Sequence, residues 1–117
     1  MARTPSVMAP LGKQASDFTL PDTVSGKNLS LQTLKGAKAT IIMFICNHCP
    51  FVKHVNAELV KLGNDYKDKG VGFIAISSND VAGYPQDGPE QMKQVAEELN
   101  YPFPYLYDES QDVAKAY

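Results

Sequence analysis

Two apolar runs, residues 39–45 (ATIIMFI) and 71–77 (VGFIAIS), constrain this chain more than any other feature. Each is rich in β-branched residues and has no polar alternate face. That pattern belongs to a strand covered on both sides, as in a parallel sheet. Between the runs the apolar period changes. Past Pro50, the residues Val52, Val55, Leu59, Leu62 and Tyr66 recur at steps of three and four, the stripe of an amphipathic helix. The lysines of KDKG lie near its negative end and Gly70 serves as its C-cap. Strand, helix, strand of this kind forms a parallel pair, with a crossover expected to be right-handed.

The flanks extend the pattern. A loop, VAGYPQDG (residues 81–88), leads to Pro89 at the first turn of a second helix, whose inner stripe is Met92, Val95, Ala96 and Leu99. Asn100 and Pro102 stop that helix. FPYLYD reads as a short strand that Pro104 confines to an edge or a strand start. Ser110 or Asp108 then caps a last helix over QDVAKAY. Upstream, SDFTLPDTVSGKNLSLQTLKG alternates around Ser25-Gly26 as a hairpin, with Phe18, Leu20, Leu29 and Leu31 inward and a turn at residues 33–36. Residues 1–14 read as a loose arm, and no repeat or linker divides the chain. The expected architecture is one α/β domain over residues 1–117, a hairpin followed by parallel βαβαβα.

Composition bears on partners. A chain of 117 residues buries a real core without disulfide staples. A formal charge of −2 gives no electrostatic case for nucleic acid or an anionic membrane, and Arg3 is the single arginine. The N-terminal residues lack the apolar core of a secretory signal, and no apolar run approaches membrane-spanning length. A cytoplasmic location is therefore expected. In a reducing compartment a lone cysteine pair is more often catalytic or metal-binding than structural.

Both cysteines and both histidines lie in FICNHCPFVKH, where the first strand gives way to the helix. If Cys46 ends the strand, the first free N–H groups of the helix and its dipole favour a thiolate there. Thiol pKa values in such sites fall to roughly 3.5–7.5. His48, between the sulfurs, adds a hydrogen bond or a positive charge. The two-residue spacing lets Cys49 curl back and resolve a mixed disulfide. The expectation is that Cys46, taken as the more exposed position, attacks and Cys49 resolves. Two other readings stand beside this one. Cys46, His48, Cys49 and His54 are four potential zinc ligands, but the chain has no further cysteine or histidine for a second ligand pair. An inert pair of small core residues suits Cys49 better than Cys46 and leaves His48 without a role. Redox chemistry fits best, with no cofactor and no metal.

Asn47 and Pro50, which flank the thiols, and Asn79, in the loop after the second strand, are candidate substrate contacts. Loops at that end of a parallel sheet are where open α/β folds place sites, although Asn79 also has a simpler role in its own turn. His54 and Lys53 read as solvated helix residues. Tyr84, Tyr101, Tyr105 and Tyr107 read as packing residues with a wet hydroxyl.

With these motifs placed, the chain resembles the thioredoxin-fold redoxins, and within them the peroxiredoxin-like (AhpC/TSA-like) group. ASDFTLPDTVSGKNLSLQTLKG, FICNHCPFVKH, AISSND, YPQDGPEQM and YPFPYLYDESQDVAKAY carry the likeness, from about Ala15 to Tyr117. The resemblance implies a thioredoxin-like fold with redox work at Cys46 and Cys49. It also implies a disulfide or peroxide substrate, protein or small molecule, and a thiol reductant of the thioredoxin or glutathione type. Three departures matter. Ile42 and Cys46 stand where the peroxidatic motif P-x-x-x-T-x-x-C has proline and threonine; Cys49 matches its cysteine and would be the peroxidatic residue of a thiol peroxidase. Residues 39–45 hold no buried acid of the kind thioredoxins place on this strand. The cis-proline loop, two antiparallel strands and final helix of the family are not among these residues. The expected sheet is therefore incomplete, with an edge and an apolar face that would drive association, including with a second copy.

Overall fold

Strand β4 (Val71–Ser77) is the centre of the molecule, and its alternation sorts the core into two layers. In the computed structural model, which describes residues 9–117, Phe73 and Ala75 join Met92, Ala96, Phe103 and Tyr105 in one buried cluster. Ile74 and Ile76 point the other way, into a cluster with Phe18, Leu31 and Leu106. β4 is flanked in parallel by β3 (Ala39–Phe44) and β5 (Tyr105–Tyr107), giving the order β3-β4-β5. Helices α2 (Pro50–Tyr66) and α3 (Pro89–Glu98) are the crossovers. The antiparallel hairpin β1 (Thr19–Pro21) and β2 (Asn28–Ser30) reaches β5 through an isolated bridge between Asp22 and Leu106. Much of the loose arm expected over residues 1–14 lies outside the described residues. None of the described helices is long and apolar enough to cross a membrane.

Four local expectations are refined. The turn at residues 33–36 is largely a single helical turn, α1 (Leu31–Leu34), because Ser30 and Thr33 close a reciprocal capping box. Full burial on both faces belongs to β4 rather than β3. Among the described residues β3 has a neighbour on one side only, and Ile41 and Phe44 stay about two-fifths exposed. The stripe of α2 is rotated from its hydrophobic reading. Val55, Leu62 and Tyr66 are exposed, while Asn56 and Gly63 are the buried positions. Gly63 is needed there, since a Cβ at that position would lie 2.7 Å from Pro102 Cγ. Finally, Asp108 and Ser110 both serve α4 (Asp112–Ala116). Asp108 accepts from the N–H groups of Val113 and Ala114, and Ser110 accepts from that of Asp112. Gly70 ends the helical segment in the left-handed conformation, as its place in KDKG predicts.

Candidate active site

Between β3 and α2 the chain crosses the carboxyl end of the sheet. Ile45 still donates to the Ile76 carbonyl at 2.9 Å, and α2 then begins at Pro50, with Cys49 as its N-cap residue. Proline explains the boundary. Its fixed φ and missing N–H suit the first helical position and hold the preceding residue extended, as Cys49 is. It is therefore Cys49 that stands at the positive end of the helix.

Cys46 lies below, where the backbone N–H groups of Cys49 and His48 favour its thiolate. Two expectations about it are corrected. Cys46 is the more enclosed of the pair, only 8% exposed, whereas Cys49 is partly open. Its thiol is pushed above the ordinary range, not below it: burial is the largest cause, and it outweighs the two N–H donors, with Asp87 and Cys49 adding in the same direction. Both thiols are free and line one cleft of about 830 Å³, with Phe44, Val52 and Ala114 on its apolar side and Asn79 and Lys115 among its polar groups.

The acid that the strand lacks comes from elsewhere. Asp87 ends a 3₁₀ turn, Pro85–Asp87, in the loop between β4 and α3, and it is fully buried. Its Oδ1 accepts from the backbone N–H groups of Asn47 (2.8 Å) and His48 (3.2 Å). Its Oδ2 accepts from Asn79 Nδ2 (2.9 Å) and from His48 Nδ1. The His48 ring also stacks on Tyr84, centroids 4.6 Å apart and planes 8° from parallel. Sequence reading treated VAGYPQDG as a connecting loop. The available signal was its place at the carboxyl end of a parallel strand, which marks a region and not a residue.

Asn47 is buried, and its backbone N–H, amide nitrogen and carbonyl oxygen are all engaged, by Asp87, the Gln86 carbonyl (2.8 Å) and the Tyr105 hydroxyl (2.9 Å). Its polar groups are thus engaged within the chain and brace the site. Asn79 both anchors Asp87 and lines the cysteine cleft, and Pro50 is exposed at the helix start. The hydroxyls of Tyr101 and Tyr105 are not wet. They donate to Asn56 and Asn47, and burial pushes Tyr101 up to about 12 and Tyr105 further.

Ligand-type atoms of Cys46, His48 and Asp87 lie within 4.8 Å of one another. The carboxylate of Asp87 already accepts four hydrogen bonds, which engage both of its oxygens.

The chain is 29% identical over 111 residues to the thiol-disulfide oxidoreductase ResA of Halalkalibacterium halodurans, an alignment covering 94% of this chain and 57% of that protein. A crystal structure of an uncharacterized conserved protein from Geobacillus kaustophilus superimposes with a TM-score of 0.92 at 61% identity, covering 98% of this chain and 62% of that one. The thioredoxin domain of a thiol-disulfide oxidoreductase from Bacteroides vulgatus superimposes with a TM-score of 0.71 at 23% identity, over 93% and 71% of the two chains, and so shows a thioredoxin-like fold. The chain thus spans about three-fifths of the first two relatives. The AhpC/TSA family matches residues 11–117, nearly the whole sequence, and the chain belongs to that family.

Proposed function

We propose that this chain carries the redox centre of a thiol–disulfide oxidoreductase in which Cys46 and Cys49 cycle between dithiol and disulfide. The observation that carries the reading is the pair itself: two free thiols bordering one cleft at the N-terminus of α2, with Cys49 as the N-cap. Exposure and position favour an order that reverses the sequence expectation. Cys49, partly open at the helix dipole, attacks the substrate disulfide and forms a mixed disulfide while one substrate thiolate leaves. Cys46 then attacks the Cys49 sulfur, closes the internal disulfide and releases the second substrate thiolate. Two electrons pass from the pair to the substrate, and the two thiol protons end on the two product thiols. A thiol reductant resets the cycle.

The test is a single-turnover reaction of the reduced protein with oxidised glutathione, read by mass spectrometry. Cys46→Ser should hold a glutathione adduct on Cys49, and Cys49→Ser should form no productive adduct. A wild-type adduct on Cys46, or turnover that survives Cys49→Ser, would sink the order proposed. Hydrogen peroxide consumption that needs Cys49 and is indifferent to Cys46 would replace disulfide exchange with peroxidase chemistry.

A further inference from the structure

Resolution by Cys46 raises a physical difficulty. Its thiol is enclosed and therefore protonated at neutral pH, yet it must lose that proton to attack the mixed disulfide. Bulk water is a poor acceptor for a group only 8% exposed. What does lie beside the sulfur is His48 and Asp87, with ligand-type atoms within 4.8 Å of it. We propose that His48 and Asp87 form the proton acceptor of the resolving step, Asp87 acting as the positioning residue that fixes the His48 ring. The inference rests on the disulfide-exchange reading above and adds residues from outside the cysteine motif to it.

The geometry supports the assignment at three points. A carboxylate can only accept, so the bond from His48 Nδ1 makes that nitrogen the donor and leaves Nε2 to take up a proton. The ring is held on two sides, by Asp87 at its edge and Tyr84 on its face. Asp87 is itself locked by the Asn47 and His48 N–H groups and by Asn79, so it cannot swing away to solvent. The other titratable groups around Cys46 are Cys49, Tyr101 and Tyr105, with the Lys115 ammonium in the cleft that both thiols line. Both tyrosines are raised out of the working range and stay neutral. Lys53 and Glu98 share the outer cleft that His48 lines and carry opposite charges.

The step then balances. The Cys46 S–H bond breaks and its proton passes through one water to His48 Nε2, the free acceptor of the His48–Asp87 pair. The Cys46 sulfur forms the bond to Cys49 Sγ, and the bond between Cys49 and the substrate sulfur breaks. The departing substrate thiolate takes the proton the pair holds. The pair ends as it began, and the electrons follow the sulfurs.

The experiment separates the two chemical steps. Reduced wild type, Asp87→Asn and His48→Gln are mixed with oxidised glutathione, quenched with acid and followed by mass spectrometry from pH 6 to pH 9. Wild type should pass rapidly through the Cys49 adduct to the internal disulfide. Both variants should still form the adduct and then hold it, with resolution slowed about 100-fold at neutral pH, the lower end of general acid–base contributions. Their resolution should climb about tenfold per pH unit, as for a thiol that must ionise unaided. The two variants check each other, since His48→Gln leaves the buried Asp87 network largely in place. A loop that is merely loosened slows both steps together with no change of pH profile, and that result overturns the proposal. Resolution at the wild-type rate in both variants overturns it too. Wild type that forms neither adduct nor internal disulfide overturns the redox reading itself, a result no variant can imitate.

Discussion

Asn47 is where the stability of the fold and the geometry of the site meet, and Asn47→Ala gives a sharp test of that link. The substitution keeps the backbone N–H that Asp87 accepts but removes both side-chain bonds, from Asn47 Nδ2 to the Gln86 carbonyl at 2.8 Å and from the Tyr105 hydroxyl at 2.9 Å. Gln86 is exposed, and water replaces its lost donor at a cost of about 0.5 kcal/mol. Tyr105 is completely buried, so its hydroxyl is left without a partner, a penalty of about 1–3 kcal/mol. The sum is about 1.5–3.5 kcal/mol, a large share of the roughly 5–15 kcal/mol that holds a domain folded. Urea unfolding of the reduced protein, followed by circular dichroism because the chain has no tryptophan, should show the midpoint falling with an unchanged m-value. Tyr105→Phe supplies the control. It removes the orphaned hydroxyl, so the double variant should be more stable than the sum of the single losses by about 1–2 kcal/mol. An additive cycle, or an Asn47→Ala loss below about 0.5 kcal/mol, would refute the claim that this bond braces the cysteine loop.

Further outcomes follow from burial elsewhere. Alkylation of Cys46 in a Cys49→Ser background should show a midpoint above the ordinary thiol value of about 8.5, since burial raises it; a midpoint at or below that value contradicts the enclosure of the sulfur. Because the folded state binds this proton more tightly than the unfolded chain, reduced protein should lose stability as pH rises from the ordinary thiol range through the raised one, and Cys46→Ala should flatten that limb. Ser77→Ala should be neutral or stabilising by about 1 kcal/mol in urea melts, since its buried Oγ has no hydrogen-bond partner. Met92→Ala, at a fully buried position between α3 and the sheet, should cost about 2–5 kcal/mol by the same assay.

The parts of the fold legible in the sequence are those where one physical effect dominates. β4 was readable as VGFIAIS because burial on both faces leaves no polar position to dilute the signal. Pro50 and Pro89 fixed two helix starts through backbone geometry alone. The inner face of α2 was misread because its closest contacts use small and polar residues. Gly63 lets the helix meet Pro102 and Phe103, and Asn56 receives the Tyr101 hydroxyl, so hydropathy pointed to a neighbouring stripe that is in fact exposed. The cysteine pair falls at the strand-to-helix junction that the sequence marks, but its relative exposure depends on what lies beside Cys46 from Tyr101, β5 and the loop at Asp87. Those contacts join residues about forty apart in the chain, as Asn47 and Asp87 show. No local pattern encodes them.

Asp87 makes the same point in energetic terms. Burying a lone carboxylate is expensive, and a chain retains one only where donors surround it. Here the donors are the backbone of the cysteine loop and the side chains of His48 and Asn79. Truncating the Asp87 side chain would free the loop, and the loop cannot move without stranding a buried charge. The two are coupled, so the geometry of the thiols is set by a residue in a different crossover connection. That coupling also explains why the helix dipole alone does not yield a reactive Cys46. The negative charge that orders the loop opposes a second negative charge on the sulfur beside it. In the proposed cycle such a site keeps Cys46 protonated until the mixed disulfide forms, and leaves the partly open Cys49 thiol at the head of α2 to make first contact.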